Sequence, residues 1–439
     1  MALTKIENDA LSNTVTANIA SLAIGANVSI NSSAFFVGNS TVNTVMTASG
    51  LVIANNFGVS SNTTNFLENR GGQLFFNGRR VKNINPYAPA VAVYGYALGG
   101  YTGGYVATAD RITFSTSATA ASTVSNLSSS RYFPAGVSDA TTYGYTCGGE
   151  TTGSGVSAVS DRTTFSTSVT AASTVSNLSQ ARAYPAGMSD CAVYGYTLGG
   201  SDGTIRSTAD RTTFSTGATA ASTVSNVSQA RYVLSGFSDG AVYGYAMGGY
   251  TGAAVATADR ITFSTSVTAA STISNLSAAR WGPITISDGA IYGYALGGYN
   301  GSSMLATGDR TAFSTGATAA STISNLSTVR YYGVGVSDNA VYGYSMGGDS
   351  TTSTAVATTD RVTFSTSSTA ASTVSNLSGT RRLQSGVSDG VTYGYVLGGG
   401  AYVATADRIT FSTSATAAST TSNLSQVRQG PVGFSDGAV

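Results

Sequence analysis

No histidine occurs anywhere in the chain, which removes the side chain that most often moves a proton or holds a transition metal near neutral pH. Histidine-based triads and histidine metal sites are thereby excluded. Carboxylate-driven glycoside hydrolysis needs two acids roughly 5 to 10 Å apart across a cleft. Fourteen of the 20 acidic residues instead recur at two fixed places, the Asp of an Asp-Arg pair and the Asp of a Ser-Asp pair. Within the repeated part only Glu150, Asp202 and Asp349 lie in segments that vary, and they fall in three different units. The chemistry these residue types suit is recognition, because an aromatic ring stacks on the apolar face of a sugar while short polar groups bond its hydroxyls. Candidate ligand-binding residues are Tyr101, Tyr105, Tyr132, Phe133, Glu150, Tyr184, Asp202, Tyr232, Tyr250, Trp281, Tyr299, Asn300, Tyr331, Tyr332, Asp349, Arg382 and Tyr402. No catalytic residue, metal ligand or cofactor is expected, and a glycan-cleaving enzyme stays as the least favoured alternative.

The elements that must position these residues are set by the stretch Tyr94-Gly95-Tyr96-Ala97-Leu98-Gly99-Gly100. Versions of it start at Tyr94, Tyr143, Tyr194, Tyr243, Tyr292, Tyr342 and Tyr393, a period of 49 to 51 residues. Each is followed by Asp-Arg, Phe-Ser-Thr, Ser-Asn-Leu or Ser-Asn-Val, an Arg and then Ser-Asp. Short alternating segments at this period predict four-stranded propeller blades, which must stack in a ring to bury both faces. In the unit 131–182 the pattern predicts strand A over 134–137, B over 142–149, C over 162–167 and D over 173–178. Alternation puts Tyr94, Tyr96 and Leu98 on one face of strand B and Gly95, Ala97 and Gly99 on the other. The glycine then reads as a space requirement for a neighbouring blade. Asp110 and Arg111, pointing to opposite faces, are expected to reach different blades in a ring of inter-blade charge pairs.

From each repeated Asp to the next repeated Tyr is always 33 residues, and Asp407 plus 33 overruns the last residue, Val439. The ring is therefore expected to begin at strand B of blade 1 and to close with a C-terminal strand A over 429–435, leaving no open edge between the first and last blades. Length varies only between Tyr and Asp, in the B-to-C loops 101–109, 150–160, 201–209, 250–258, 299–308, 349–359 and 400–406. Residue type varies at the D-to-A connections as well. In an up-and-down blade these two sets emerge on one face, while the A-to-B turns and the repetitive C-to-D turns emerge on the other. Variation on a rigid scaffold marks the first face as the recognition face.

The order of Arg, strand A and a strand B ending in Tyr and Gly-Gly resembles the kelch repeat. The resemblance implies a seven-bladed kelch-like propeller, although the outer-strand aromatic is missing, since the chain has a single Trp, Trp281. The lack of histidine also rules out the copper site of kelch-type oxidases. The fold class expected is all-β, a propeller over 91–439 with a small N-terminal β-rich anchoring domain over 1–85 and a linker at 86–90, within a stretch 79–89 that carries Pro86 and Pro89. Short strands are expected around Val28–Ile30, Phe35–Val37, Val42–Met46, Leu51–Ile53 and Leu74–Phe76. The passage Phe36-Val37-Gly38-Asn39-Ser40-Thr41-Val42-Asn43-Thr44 and the Asn- and Thr-rich strands near it resemble segments of tail-fibre and other virion proteins of marine tailed bacteriophages.

That resemblance implies a virion protein, on the phage tail or particle surface, made in the host cytoplasm without a signal peptide. Its partners would be other virion proteins through 1–85 and a host-surface glycan or receptor through the variable loops. A purely structural tail or head-decoration role is the alternative, and a peptide-binding propeller adaptor belongs to a further class. A net charge of +1 with 9% charged residues gives no electrostatic case for nucleic acid. So thin a β leader predicts a homo-oligomer, first of all a trimer. Cys147 and Cys191 are expected to be free thiols.

Overall fold

A computed structural model describes residues 92–437, apart from 352, 353 and 401, together with six strands between residues 34 and 80. Seven four-stranded antiparallel sheets form a β-propeller. Blade 2 shows the unit, with strand A at Ala135–Ser138, B at Tyr143–Cys147, C at Ser160–Thr164 and D at Val169–Ala172, hydrogen-bonded in that order. Blades 3 to 7 repeat it with strand B at Tyr194–Leu198, Tyr243–Met247, Tyr292–Leu296, Tyr342–Met346 and Tyr393–Leu397. In blade 1 the C-terminal strand Val432–Ser435 pairs with Tyr94–Leu98, Val432 opposite Leu98 and Ser435 opposite Gly95. Asp436 Oδ1 then accepts from the N–H groups of Val93 and Tyr94 at 2.7 and 2.9 Å. The ring thus closes from its own C-terminus as the spacing predicts, with Gln429 ahead of the strand making a separate bridge to Tyr101.

Strand D is displaced from its expected position. Residues 173–178 hold a 3-10 turn, Thr174–Ser176, and the strand lies before it at Val169–Ala172. Two local causes are visible. Ser168 takes a left-handed φ of 58°, so the chain reverses immediately after strand C. Asn177 Oδ1 accepts from the Ser160 N–H at 3.0 Å, which ties the Ser-Asn-Leu segment to the start of strand C. The same asparagine bond recurs in the other blades, for instance Asn126 to Ala109 and Asn226 to Ala209, both at 2.8 Å.

Blades nest as a large face against a small one. Tyr96 is fully buried, its ring stacked on Phe165 of blade 2 at 5.8 Å. On the opposite face a Cβ at Gly95 would come within 2.8 Å of Val387 in blade 7, and one at Gly293 within 2.1 Å of Phe237 in blade 4. The strand-B glycine is therefore the seat of the neighbouring blade's strand-A side chain, at a distance real Cβ atoms do not tolerate.

Charge pairs circle the ring as expected, with partners the sequence did not specify. Each Asp of Asp-Arg pairs with the arginine that precedes strand A, giving Arg182–Asp210 and Arg428–Asp110 at 2.7 Å, Arg231–Asp259 at 2.6 Å and Arg330–Asp360 at 2.5 Å. Arg131–Asp161, Arg280–Asp309 and Arg381–Asp407 complete the set of seven, all with essentially buried side chains. The backbone of Arg131 sits under blade 1, its carbonyl accepting from Gly100 N–H, while its guanidinium reaches Asp161 in blade 2. Burial pulls the guanidinium pKa down at Arg231, Arg280, Arg330 and Arg428, and at Arg131 and Arg381 to about 10. The other arginine, next to the Asp, turns the opposite way. Arg111 lies over the Tyr94 ring at 4.4 Å and donates to Ser168 of blade 2 at 2.8 Å.

Hydroxyl groups supply the outer seam that an aromatic does not. Ser176 Oγ donates to Gly217 O at 2.5 Å, and the equivalent bond joins Ser225 to Ser266 at 2.6 Å and Ser324 to Ser367 at 2.7 Å. Near the axis Ser238 Oγ donates to Ser189 O at 2.9 Å and Ser287 Oγ to Ser238 O at 3.0 Å. Both cysteines are free, and Cys147 is buried in the position that Leu98 holds in blade 1.

The chain divides into two compact units, Met1–Phe57 and Gly58–Val439. The first contains an antiparallel sheet of Ala34–Asn39, Val42–Thr47 and Gly50–Val52. A second small sheet, Leu67–Arg70, Gln73–Phe76 and Arg79–Arg80, falls in the second unit. Arg79 and Arg80 therefore pair as a strand with Phe76 and Phe75 instead of opening the linker. The expected boundary at 85/86 lies outside the described residues. The strand expected near residue 28 and the linker at 86–90 lie outside the described residues.

Candidate functional site

The double glycine that ends strand B creates one pole of the ring. Gly99 and Gly100 have φ of 68° and 118°, and Cβ atoms there would come within 2.7 and 2.8 Å of the carbonyls of Arg131 and Gln429. Only glycine lets the D-to-A connection cross directly over the end of strand B. The crossing pairs the two variable segments residue by residue, as Tyr101 with Gln429, Tyr132 with Glu150, Tyr232 with Tyr250, Trp281 with Tyr299 and Tyr331 with Asp349. B-to-C loops and D-to-A connections therefore share a pole, as the sequence predicts. The C-to-D turns join the A-to-B turns at the other, through bonds such as Phe114 N–H to Val93 O at 3.0 Å.

At the shared pole the predicted aromatics meet in an almost continuous belt. Tyr101 lies 5.4 Å from Tyr105, 5.7 Å from Tyr132 and 6.0 Å from Tyr402 between ring centroids. Phe133 bridges Tyr132 at 3.8 Å and Tyr184 at 4.5 Å, and Tyr184 leads to Tyr232 at 6.0 Å. Tyr232 stands edge-on to Tyr250 at 5.6 Å, which stands edge-on to Trp281 at 6.4 Å. Trp281 is enclosed further by Tyr299, Tyr331 and Tyr332 at 5.2, 5.4 and 5.5 Å. A pocket of 760 Å³ opens here, lined by Tyr184, Tyr232, Tyr250, Trp281, Tyr299 and Asn300 among others. Its volume and its lining of rings with one amide suit a small polar ligand.

The charged candidates divide. Asp349 is fully buried and holds Arg382 at 2.6 Å, which keeps the guanidinium pKa above its ordinary value. Glu150 accepts from Tyr105 Oη at 3.5 Å and joins the belt beside Tyr132. Burial first, then the Glu150 charge, pushes the Tyr105 phenol up, and burial does the same at Tyr132, Tyr184 and Tyr332. These phenols stay protonated and available as donors. Asp202 is not brought to the belt. It is taken up by Arg206 of its own loop at 2.7 Å and by Gln180 of the preceding D-to-A connection at 3.2 Å, and the Arg206 bond lowers its pKa. Tyr402 is the most exposed of the rings, at 41%.

One feature of the pole was not legible beforehand. The second residue after each D-to-A arginine, namely Phe133, Tyr184, Val233, Gly282, Tyr332, Leu383 and Gly430, takes a left-handed φ between 51° and 62°. Five of the seven carry side chains that pay a steric penalty there, Val233 most of all. Their backbones link around the axis, Tyr184 N–H to Phe133 O and Val233 N–H to Tyr184 O at 3.2 Å, Gly282 N–H to Val233 O at 3.1 Å and Leu383 N–H to Tyr332 O at 2.9 Å. Inside this ring lies an axial cavity of 370 Å³ to which every blade contributes, with Pro134, Pro185, Pro283 and Pro431 in its wall. Strain held at a pocket mouth is characteristic of functional surfaces. The glycines at two of the seven copies were the one available signal.

Among the described residues no group of three or more His, Cys, Asp or Glu could hold a metal ion, and no helix is long and apolar enough to cross a membrane. A scan against protein-family models and a search of curated proteins both returned no match.

Proposed function

We propose that the chain is a bacteriophage virion protein, on the tail or another exposed part of the particle, whose propeller binds a host-surface glycan at the aromatic pole. The observation that carries the binding part is the pocket of 760 Å³ around Trp281, lined by rings from four consecutive blades together with Asn300. Rings stack on pyranose faces and protonated phenols donate to sugar oxygens. The virion part is supported by the resemblance of residues 36–44 to tail-fibre segments, and it assigns 1–85 to contacts with other virion proteins and to a homotrimer. The protein acts as a binder and not as an enzyme, in keeping with the engagement of Asp349 by Arg382 and of Asp202 by Arg206.

A glycan array probed with the full chain and with Trp281→Ala tests the binding. Trp281→Ala is expected to weaken the bound glycans by about tenfold or more while keeping the thermal melt cooperative. Undiminished binding by that variant would defeat the assignment. A structural role finds support in the opposite pole, where Val93, Val193, Ile291 and Val341 are 42 to 49% exposed. Binding to purified virion proteins through that pole, with no glycan retained, would favour it. Labelling intact particles with antibodies to the propeller locates the chain, and light scattering gives its oligomeric state.

A further inference from the structure

The pocket beside Trp281 owes its room to one alanine. In four of the B-to-C loops the first residue bridges back to a residue on the loop's return, and that partner is Tyr105 in blade 1, Ile205 in blade 3, Ala254 in blade 4 and Met304 in blade 5. Three of the four are large. In blade 1 the Tyr105 ring packs 5.4 Å from Tyr101 and 6.3 Å from Tyr132, and so covers the aromatic supplied by the D-to-A connection. Blade 4 repeats this arrangement with Tyr250 and Trp281, their rings 6.4 Å apart, but sets a methyl group where the third ring would stand. Ala355, opposite Asp349 in blade 6, is as small, yet there the D-to-A residue is Arg382, which Asp349 holds. The side of Trp281 next to Ala254 therefore opens on the pocket of 760 Å³, to which Ala253 adds a second methyl. The repeat has left out one flat ring.

The polar groups around this gap have fixed roles. Asn300 Oδ1 accepts from the Ser302 and Ser303 N–H groups at 2.8 and 2.7 Å, so its carbonyl belongs to its own loop and Nδ2 is left as a donor. Tyr299 Oη donates to Gly301 O at 3.0 Å, which commits its proton and leaves the oxygen as an acceptor. Among the described residues that line the pocket none is charged. An anionic sugar would enter without a counter-charge, and an ammonium group without a carboxylate. A hydroxyl would meet the donor and the acceptor but leave both alanine methyls against water. A secondary amide with a methyl end meets all of these features at once.

We propose that this gap is a subsite for an uncharged N-acetylhexosamine unit of the glycan, its pyranose ring on Trp281 and its acetamido group toward Asn300, Tyr299 and the two alanines. The inference rests on the glycan reading and sharpens it. Trp281 is the only Trp of the chain, so its fluorescence reports the subsite directly. The full chain is titrated with the methyl glycosides of N-acetylglucosamine, N-acetylgalactosamine, glucose, galactose and glucuronic acid. One of the N-acetyl glycosides is expected to change the emission at concentrations about tenfold or more below either hexose, with no saturable response to the uronic acid. Asn300→Asp keeps the oxygen that Ser302 and Ser303 use and removes the donor, and should weaken N-acetyl binding by about tenfold. Ala254→Tyr places there the side chain that blade 1 carries, and should abolish the response while the melt stays cooperative. Hexoses or the uronic acid binding as well as the N-acetyl forms, or either variant binding as the wild type does, would overturn the subsite and leave the glycan reading standing. Silence toward every sugar would overturn the subsite as well, and only an array that retains no glycan would defeat the broader reading.

Discussion

The framework between blades and the aromatic pole are built from the same repeat, yet they spend their side chains differently. Between blades the repeated charged and hydroxyl side chains pair with one another. Arg231 meets Asp259, Ser225 meets the Ser266 carbonyl, and Tyr196 meets Ser266. At the pole the rings of Tyr232, Tyr250, Trp281 and Tyr299 meet one another edge-on and face a pocket. The first arrangement fixes a shape and tolerates little change, whereas the second rests on that shape and is free to differ from blade to blade. The backbone strain at Tyr184, Val233 and Tyr332 lies where the two meet, held in place by the rigid ring below.

Alkali should break the framework first and most completely. Burial holds Tyr96, Tyr145, Tyr196, Tyr245, Tyr294 and Tyr344 at about 12, above the value of about 10 for the unfolded chain. The folded protein therefore keeps protons that the unfolded chain releases, so this stability is complete below about pH 10 and is lost as the pH rises to about 12. With no histidine to titrate, Tm is expected to stay flat between about pH 6 and 9 and then fall steeply, which a melting series would record.

Single framework changes come next. Asp259→Ala leaves Arg231 buried without its counter-charge and is expected to cost about 3–5 kcal/mol in urea unfolding. Gly293→Ala drives a methyl into Phe237 and should cost about 1–3 kcal/mol. Arg260→Ala removes a stacking partner 4.8 Å above the Tyr243 ring and should cost about 1 kcal/mol, less than loss of its neighbour Asp259. The smallest effect belongs to the pole, where Asn300→Ala, at an exposed position, should change stability by less than about 0.5 kcal/mol. Comparable losses from Asn300→Ala and Asp259→Ala would erase the contrast between the two regions.

The contrast itself was largely legible in the sequence. The 33-residue constancy from Asp to Tyr gave the closing strand, and loops that vary only after Gly-Gly gave the pole. Strand D was misplaced because Ala-Thr-Ala-Ala has little β propensity while Thr-Val-Ser reads as a strand. What decides the matter is the bond from Asn177 to Ser160, a tertiary fact invisible to propensity. The partner of each Asp was hidden for a similar reason. Arg231 and Asp259 lie 28 residues apart, and both are brought together only by a connection passing beneath Gly199 and Gly200. The left-handed ring at Phe133 and Tyr184 escaped notice because aromatic residues ordinarily avoid that conformation.

The central claim is that the aromatic pole binds and the repetitive pole does not. Hydrogen–deuterium exchange of the full chain, with and without an array-positive glycan, tests it most directly. Protection is expected in the loops 250–254 and 299–302 and at Trp281, with the turns 190–193 and 239–242 unchanged. Protection confined to those turns, with the loops exchanging as in the free protein, would contradict it.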